Sequence, residues 1–517
     1  MSVPVLGGAV STSHFLATAA GAEALRRGGN ALDAAIAAAA TLCVVYPNNV
    51  ALGGDLVALV KAPSGEVSFV NATGRAPADV DVDRMRERYG DRLPDRGIDT
   101  ITVPGGVRGW EMLAGLGARQ SWPELLESAH RHAEDGHLLA PSVAAALVGE
   151  QDILRSDPGF REVFYPDGEP LAEGATLRQP ALAGTLAALR AGGPEAFYAG
   201  PVADAWVAGL RRLGSAITTA DARSFRPHLD EPLERRVFGR RIITGPPNTQ
   251  GFALLRNLLA AEREHLRAPL GADAGRFAEI FAETNRVRAY WLADPDAGLS
   301  GAELLDAEVP PRADDEKPAH GDTVGLVAVS DDGWAVSLVQ SVYWSFGSGV
   351  LEPVTGVLFQ NRGTSFSLEQ KHPALLAPGR RPPHSLMPVL VFDDDRLDIV
   401  PATMGGQAQA QIHAQLFLRL RDGAAVAEAI EAPRFVVGAQ DDGDTQNTVL
   451  IESDVAPDAR AALARTTLDP RIVPPYTESL GHSNVIRATS DGWDAASDPR
   501  SDGSAEIVPP ATTQDIP

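Results

Sequence analysis

Apolar positions in the first 45 residues recur at helical spacing. ATAAGAEALRRGG predicts one helix that stops at its closing glycines, and Asn30 can cap a second, alanine-rich helix from Ala31 to about Val44. The second helix is apolar on nearly every face apart from Asp33, so it must be buried. The period then shortens to two. DLVALVKA, the turn Pro63-Ser64-Gly65 and EVSFVN read as a hairpin. From about 80 to 300 the pattern is mostly helical, as in WPELLESAHRHAEDG and QPALAGTLAALRAGG, with a strand pair interrupting it near LERRVFGRRIITG.

A charged, proline-rich run, VPPRADDEKPAHGD, ends at Asp322, and its ADDEKPAHGD part reads as an exposed, mobile loop. From Thr323 the chain turns to β. VGLVAVS, the turn Asp331-Asp332-Gly333 and WAVSLVQSV form a second hairpin. MPVLVFDD and RLDIVPAT form a third, which leads through Met404-Gly405-Gly406 into a helix from about Gln409. Strands flanked by helical blocks predict a layered α/β protein with its sheets in the middle. No repeat of solenoid type is present.

Composition narrows the classes. A hydrophobic fraction of 44% with 22% charged residues is that of a globular chain. Lys and Arg number 45 against 68 Asp and Glu, a net charge of −23, which argues against a nucleic-acid binder. The lone cysteine, Cys43, sits in the apolar run LCVV and reads as a small buried hydrophobe, and one cysteine allows no internal disulfide. The N-terminus MSVPVLGGAVSTSH lacks a basic then apolar leader pattern, and the most apolar stretch, 34–45, is too short to span a bilayer. The expectation is a cytoplasmic protein without membrane or nucleic-acid partners.

Two features carry chemistry. A threonine hydroxyl is a weak nucleophile unless a base lies beside it, and an N-terminal threonine supplies that base through its own α-amine. Thr323 could become such a residue if the chain were cut after Asp322; alternatively it is simply the first residue of a strand. Gly405-Gly406, at a strand-to-helix turn, could converge backbone N–H groups on an oxyanion or could be only a tight turn. LGGDL lacks the lysine and the glycine spacing of a phosphate loop. His130, His132 and His137 read as solvated helix surface rather than as metal ligands.

In order, GGNALDAAIAAAATLCVVYPNNVALGGD, ITVPGGVRGW, HAEDGHLLAP, GPPNTQGFALL, the Thr323 segment, FGSGVLEPVTGVLFQNRG, HSLMPVLV, MGG and ASDPRSDG resemble the γ-glutamyltransferase family of N-terminal nucleophile hydrolases along nearly the whole chain. The resemblance implies a four-layer αββα sandwich, built from a precursor that cuts itself into a large subunit, 1–322, and a small one, 323–517. It implies Thr323 as nucleophile and its freed amine as base. Gly405 and Gly406 would form the oxyanion hole, and Ser341 would be the assisting hydroxyl. No metal or organic cofactor is implied. The partners are an amide substrate, the two subunits, and a possible dimer of such heterodimers.

Departures from the family pattern bear on the substrate. The arginine that binds the γ-glutamyl α-carboxylate falls at Thr73, with Arg75 two residues on, and an expected asparagine is Tyr343. The aspartate that grips the α-ammonium falls at Ser365, and of a pair of hydroxyls one is His384 while Ser385 remains. QNRGTSFSL, APGRRPPHSLMP and MGGQAQAQ instead resemble a branch that includes oxamate amidohydrolase, where Asn361-Arg362 would lie beside the nucleophile. Arg362 could clamp a small carboxylate or form a structural ion pair, and His384 could hydrogen-bond a substrate oxygen. The implied activity is an amidohydrolase for a small carboxylate-bearing amide. A glutathione-type γ-glutamyl hydrolase or transferase is the alternative within the class. An acylase for larger side chains, with Tyr343 and Trp344 lining its pocket, and an uncut, non-catalytic binding protein are further alternatives.

Overall fold

The computed structural model describes residues 7–311, 322–440 and 443–510, so the charged run ahead of the junction lies outside the described residues from 312 to 321. The strands that matter are β1 (Gly8–Thr12), β2 (Asp55–Lys61), β3 (Val67–Ala72), β4 (His228–Asp230), β5 (Leu233–Val237), β6 (Arg240–Thr244), β7 (Asp322–Ser330), β8 (Ala335–Tyr343), β9 (Val389–Asp393), β10 (Arg396–Thr403), β11 (Ser483–Thr489), β12 (Gly492–Ser497) and β13 (Ser504–Val508). The principal helices are α1 (Phe15–Arg26), α2 (Ala31–Val45), α3 (Gly251–Arg263), α4 (Ala274–Trp291) and α5 (Gln409–Arg421).

The strands form two antiparallel sheets, ordered β13-β1-β7-β8-β2-β3-β4 and β12-β11-β10-β9-β6-β5. Alternation along β7 shows how they stack. Val324, Leu326 and Ala328 pack with α2 in one core, whereas Val327 and Val329 join Val57, Leu59, Leu390, Val400 and Ile486 in a core between the sheets. A strand buried on both faces has no polar side to show, hence the unbroken apolar run of the sequence. A third core sets α3, α4 and α5 against the second sheet. The architecture is the four-layer αββα sandwich.

The three hairpins, both N-terminal helices and α5 lie where the periodicity predicts them. The asparagine cap also holds: Asn30 Oδ1 accepts from Leu32 N at 2.9 Å and Asp33 returns the bond to Asn30 N at 2.7 Å. The N-terminal reading needs one addition, since β1 precedes the helices and pairs with both β7 and β13. Five small residues, GAVST, are too few to register as a period, and β13 contributes only half-polar SAEIV. Among the described residues no helix is long and apolar enough to cross a membrane, and no cluster of three or more His, Cys, Asp or Glu side chains is arranged to hold a metal ion.

Candidate active site

The junction opens β7, and β8 runs beside it. Their register holds from Ala335↔Val329 to Gln340↔Val324, then shifts so that Tyr343 faces Asp322. Such a bulge leaves Ser341 and Val342 opposite Thr323 and re-aims the side chains there. Thr323 Oγ donates to Ser341 Oγ at 3.0 Å, and Ser341 Oγ donates to the Asp322 carbonyl at 2.7 Å. Ser341 Oγ also accepts from Tyr343 N at 2.7 Å, which fixes its lone pair, while Asn49 Nδ2 reaches the Thr323 carbonyl at 3.4 Å. A hydroxyl chain thus runs from the threonine to the carbonyl of the peptide bond just before it. Thr323 is wholly buried.

Contacts between the sheets bring the glycine turn toward this end of β7. Ser337, paired with Val327, donates to the Pro401 carbonyl at 2.8 Å. Two residues earlier on β7, a Cβ on Gly325 would lie 2.6 Å from Thr403 N and 2.7 Å from the Ala402 carbonyl carbon, so only glycine permits the crossing. Followed two residues further, the same line leads from Thr323 to Met404-Gly405. Gly405 and Gly406 have φ of +141° and +52°, conformations that turn successive N–H groups to one side. Neither N–H has an acceptor among the described residues.

A second network continues from Tyr343. The Arg362 guanidinium lies 3.4 Å from the centre of the Tyr343 ring and donates to Ser385 Oγ at 2.9 Å, Ser365 Oγ at 3.2 Å and the Pro383 carbonyl at 3.3 Å. It is wholly buried, its Nε has no partner, and among the described residues no carboxylate lies within ion-pair distance. Burial holds its pKa down to about 10. Burial raises the Tyr343 phenol, but Arg362 and then Arg288 outweigh it and bring it below its ordinary value. Gln250 closes the ring: its Nε2 donates to the Ser385 carbonyl at 2.5 Å and the Gly406 carbonyl at 2.8 Å.

Tyr343, Ser365 and Pro383 of this network also border a cleft of about 480 Å³, together with Trp344, Gln407, Arg288 and others. Of the residues singled out in the sequence, Tyr343 and Ser365 line the cleft, while Thr323 and Ser341 connect to it through Tyr343 N, Arg362 and Ser385 through Ser365 and the Tyr343 ring, and Gly406 through Gln250. Asn361 is beside them but has a backbone task, accepting from Trp344 N at 3.2 Å and donating to the Asp95 carbonyl at 2.7 Å.

Two of the residues singled out have partners elsewhere. His384 does not offer Nε2 to the cleft, because that nitrogen meets Asp55 Oδ2 at 3.1 Å with both side chains buried, and burial keeps the ring well below its ordinary pKa. Arg75 is not drawn into the network. It donates to the Gly379 carbonyl at 2.9 Å and meets His228 Nε2 at 2.9 Å.

Sequence reasoning passed over Asp55, Gln250 and Glu478. Asp55 accepts from Gly74 N and Gln360 Nε2, each at 2.9 Å, and burial pushes it up to about 7. The acid straight after Gly53-Gly54, at the mouth of an apolar strand, was the available signal. Glu478 is pushed up to about 8 by burial and by the nearby Asp322 and Asp502; nothing in VPPYTESLG marked it.

The Gamma-glutamyltranspeptidase family profile matches residues 17–508. The chain is 35% identical to the oxamate amidohydrolase proenzyme of Klebsiella pneumoniae over 516 residues, 95% of this chain and 97% of that one. It is 31% identical to the glutathione hydrolase-like YwrD proenzyme of Bacillus subtilis, over 96% and 97% of the two chains. Among solved structures it is similar to the cephalosporin acylase of Bacillus halodurans, with a TM-score of 0.87, 30% identity, and 98% and 96% of the two chains covered.

Proposed function

The chain belongs to the gamma-glutamyltranspeptidase family, and on that premise we propose that it cuts itself between Asp322 and Thr323 and then hydrolyses the amide bond of a small, carboxylate-bearing, oxamate-like substrate. The observation that carries this reading is the hydroxyl chain from Thr323 Oγ through Ser341 Oγ to the Asp322 carbonyl. In the uncut chain Ser341 polarises that carbonyl. Thr323 Oγ adds to its carbon, the C–N bond breaks, and the nitrogen keeps the hydroxyl proton, leaving an ester. Water then cleaves the ester to an Asp322 carboxylate and a Thr323 with a free α-amine.

In the cut enzyme the α-amine, with an ordinary pKa of about 7.7–8.0, takes the proton from Thr323 Oγ as the oxygen attacks the substrate amide. Gly405 and Gly406 N–H groups hold the oxyanion. The amine leaves with the proton, and water releases the acyl group from Thr323. Arg362 receives the substrate carboxylate, an anion suited to a buried guanidinium that has only neutral partners. A γ-glutamyl substrate fits less well, since Ser365 offers no carboxylate to its ammonium.

Intact mass under denaturing conditions tests the first step. Wild type is expected as two fragments, 1–322 and 323–517, and Thr323→Ala as one uncut chain. Ser341→Ala is expected to slow cutting by about a hundredfold, the order lost with one oxyanion donor. A wild-type chain that stays whole after long incubation, or a Thr323→Ala chain that is cut, overturns the reading.

A further inference from the structure

Resting on that reading, we propose that Asp55 and His384 form a positioning pair that takes up one proton when the substrate carboxylate docks on Arg362, which makes docking pH-dependent. Asp55 opens β2, in register with Ser341 on β8. Its two oxygens pin the two segments that hold the guanidinium. Oδ1 accepts from Gln360 Nε2, two residues before Arg362, and from Gly74 N, each at 2.9 Å. Oδ2 meets His384 Nε2 at 3.1 Å, one residue before Ser385, whose Oγ accepts from Arg362 at 2.9 Å. His384 Nδ1 accepts from Leu386 N at 3.5 Å, so Nε2 carries the hydrogen and donates it to Asp55. The imidazole is therefore neutral, and the ionised pair holds one negative charge.

Both side chains are buried, and among the described residues no lysine or arginine lies at ion-pair distance from Asp55. Arg362 acts on Asp55 from further away, and Arg362 and Arg288 both act on His384. Two phenols complete the titratable surroundings. Tyr198, which burial raises, feels Asp55, and Tyr343 lies against Arg362. Before substrate binds, the Arg362 cation is balanced at a distance by the Asp55 carboxylate. A substrate carboxylate bonded to Arg362 adds a second anion to the same buried region, where like charges do not both stay ionised. The nearer anion keeps the cation, and the proton goes to the remote member, the Asp55–His384 pair. Burial has already brought Asp55 up to about 7, so the uptake occurs near neutral pH. Below about 7 the pair is protonated before docking, and pH has little effect. Above about 7 each docking event draws a proton from solvent, so affinity falls as pH rises.

The test compares oxamate with oxamide, its neutral counterpart, on the cut enzyme, so that the role of the Thr323 amine as base cancels in the ratio of their kcat/KM values. That ratio should be level below about pH 7 and about tenfold lower near pH 9, the worth of a one-unit rise in the pair's pKa on docking. The loss should lie in KM for oxamate rather than in kcat. Asp55→Asn, which mimics the protonated acid, should level the ratio and lower KM for oxamate near pH 9, a gain that damaged packing does not produce. Calorimetry of oxalate binding to cut wild type at about pH 7, in two buffers of different ionisation enthalpy, needs no variant. The pair should take up about 0.4 of a proton, against at most about 0.2 from the amine. A pH slope that persists in Asp55→Asn belongs to the amine or to Tyr343 and overturns the proposal. A level wild-type ratio, or uptake no larger than the amine supplies, overturns it as well, and in each case the amidohydrolase stands. A cut enzyme that does not turn over oxamate overturns the oxamate-like reading and the proposal together.

Discussion

Two groups of buried arginines in this molecule are built on opposite plans. Near the C-terminus Arg500 donates to Glu452 through Nε at 2.8 Å and through NH2 at 2.5 Å, and to Asp498 at 2.9 Å, while Arg434 reaches Asp498 at 2.6 Å. Two cations face two carboxylates, and the same groups anchor backbone: Asp498 accepts from Ser483 N at 3.0 Å, and Arg434 donates to the Gly481 carbonyl at 3.2 Å. The next residue, His482, accepts from Met404 N at 2.8 Å, so this cluster supports the glycine turn from behind. Arg362 is as deeply buried but meets two hydroxyls, a carbonyl and a ring. A cation taken out of water costs several kcal/mol unless an anion compensates it. The C-terminal arginines carry their compensation at ion-pair distance; Arg362 has, among the described residues, no carboxylate that close, and Asp55 acts on it only from further away.

Breaking the paired cluster should have the largest effect. Asp498→Ala leaves two buried cations facing one carboxylate, a loss of about 3–5 kcal/mol. The melting temperature should fall by several degrees, and self-cutting should slow with the loss of the anchor behind Met404. A melt unchanged from wild type would remove the distinction between the two groups. Arg362→Met tests the other side. Removing an uncompensated cation should leave the melting temperature level or raise it, while kcat/KM for a carboxylate-bearing amide falls by about 10- to 100-fold, the worth of a hydrogen bond to a charged group. A drop in stability matching that of Asp498→Ala would make Arg362 a structural residue.

How much of this was legible in the sequence follows from the range of each interaction. The hairpins, the asparagine cap and the buried alanine helix depend on neighbours a few residues away, and the periodicity carries them. The junction was legible too, because a polar run breaks into a doubly buried strand at Thr323. The partners of Arg362 and of His384 were not. Asp55 meets His384 across 329 residues of chain, and no local pattern announces such a contact. A loop arginine looks alike in sequence whether a counter-ion meets it, as for Arg500, or none lies at ion-pair distance among the described residues, as for Arg362. The five-residue β1 was hidden because its place in the sheet is set by β7 and β13 rather than by its own composition.

A half-buried carboxyl sharpens the comparison. Glu478 lies near Tyr46, Asp322 and Asp502, and burial with the two carboxylates pushes it up to about 8. Ser142 links Tyr46 and Asp502 on the far side. The folded chain therefore holds a proton on Glu478 that the unfolded chain releases near pH 4.5. Between those values the folded state binds more protons, so its stability must fall as pH rises, with the whole penalty present above about 8. Glu478→Gln keeps the size and polarity of the side chain without titrating. In a Thr323→Ala background, where the junction stays closed, this second substitution should leave the melting temperature unchanged near pH 4.5 and raise it by about 1–3 °C near pH 9. In the cut enzyme, where Asp322 is a chain end free to leave, the gain should be smaller. A pH-independent difference, or one equally large after cutting, would mean that the junction aspartate does not act on Glu478. The acid would then be a fixed part of the fold, as Asp498 is, rather than a charge strained by the uncut chain.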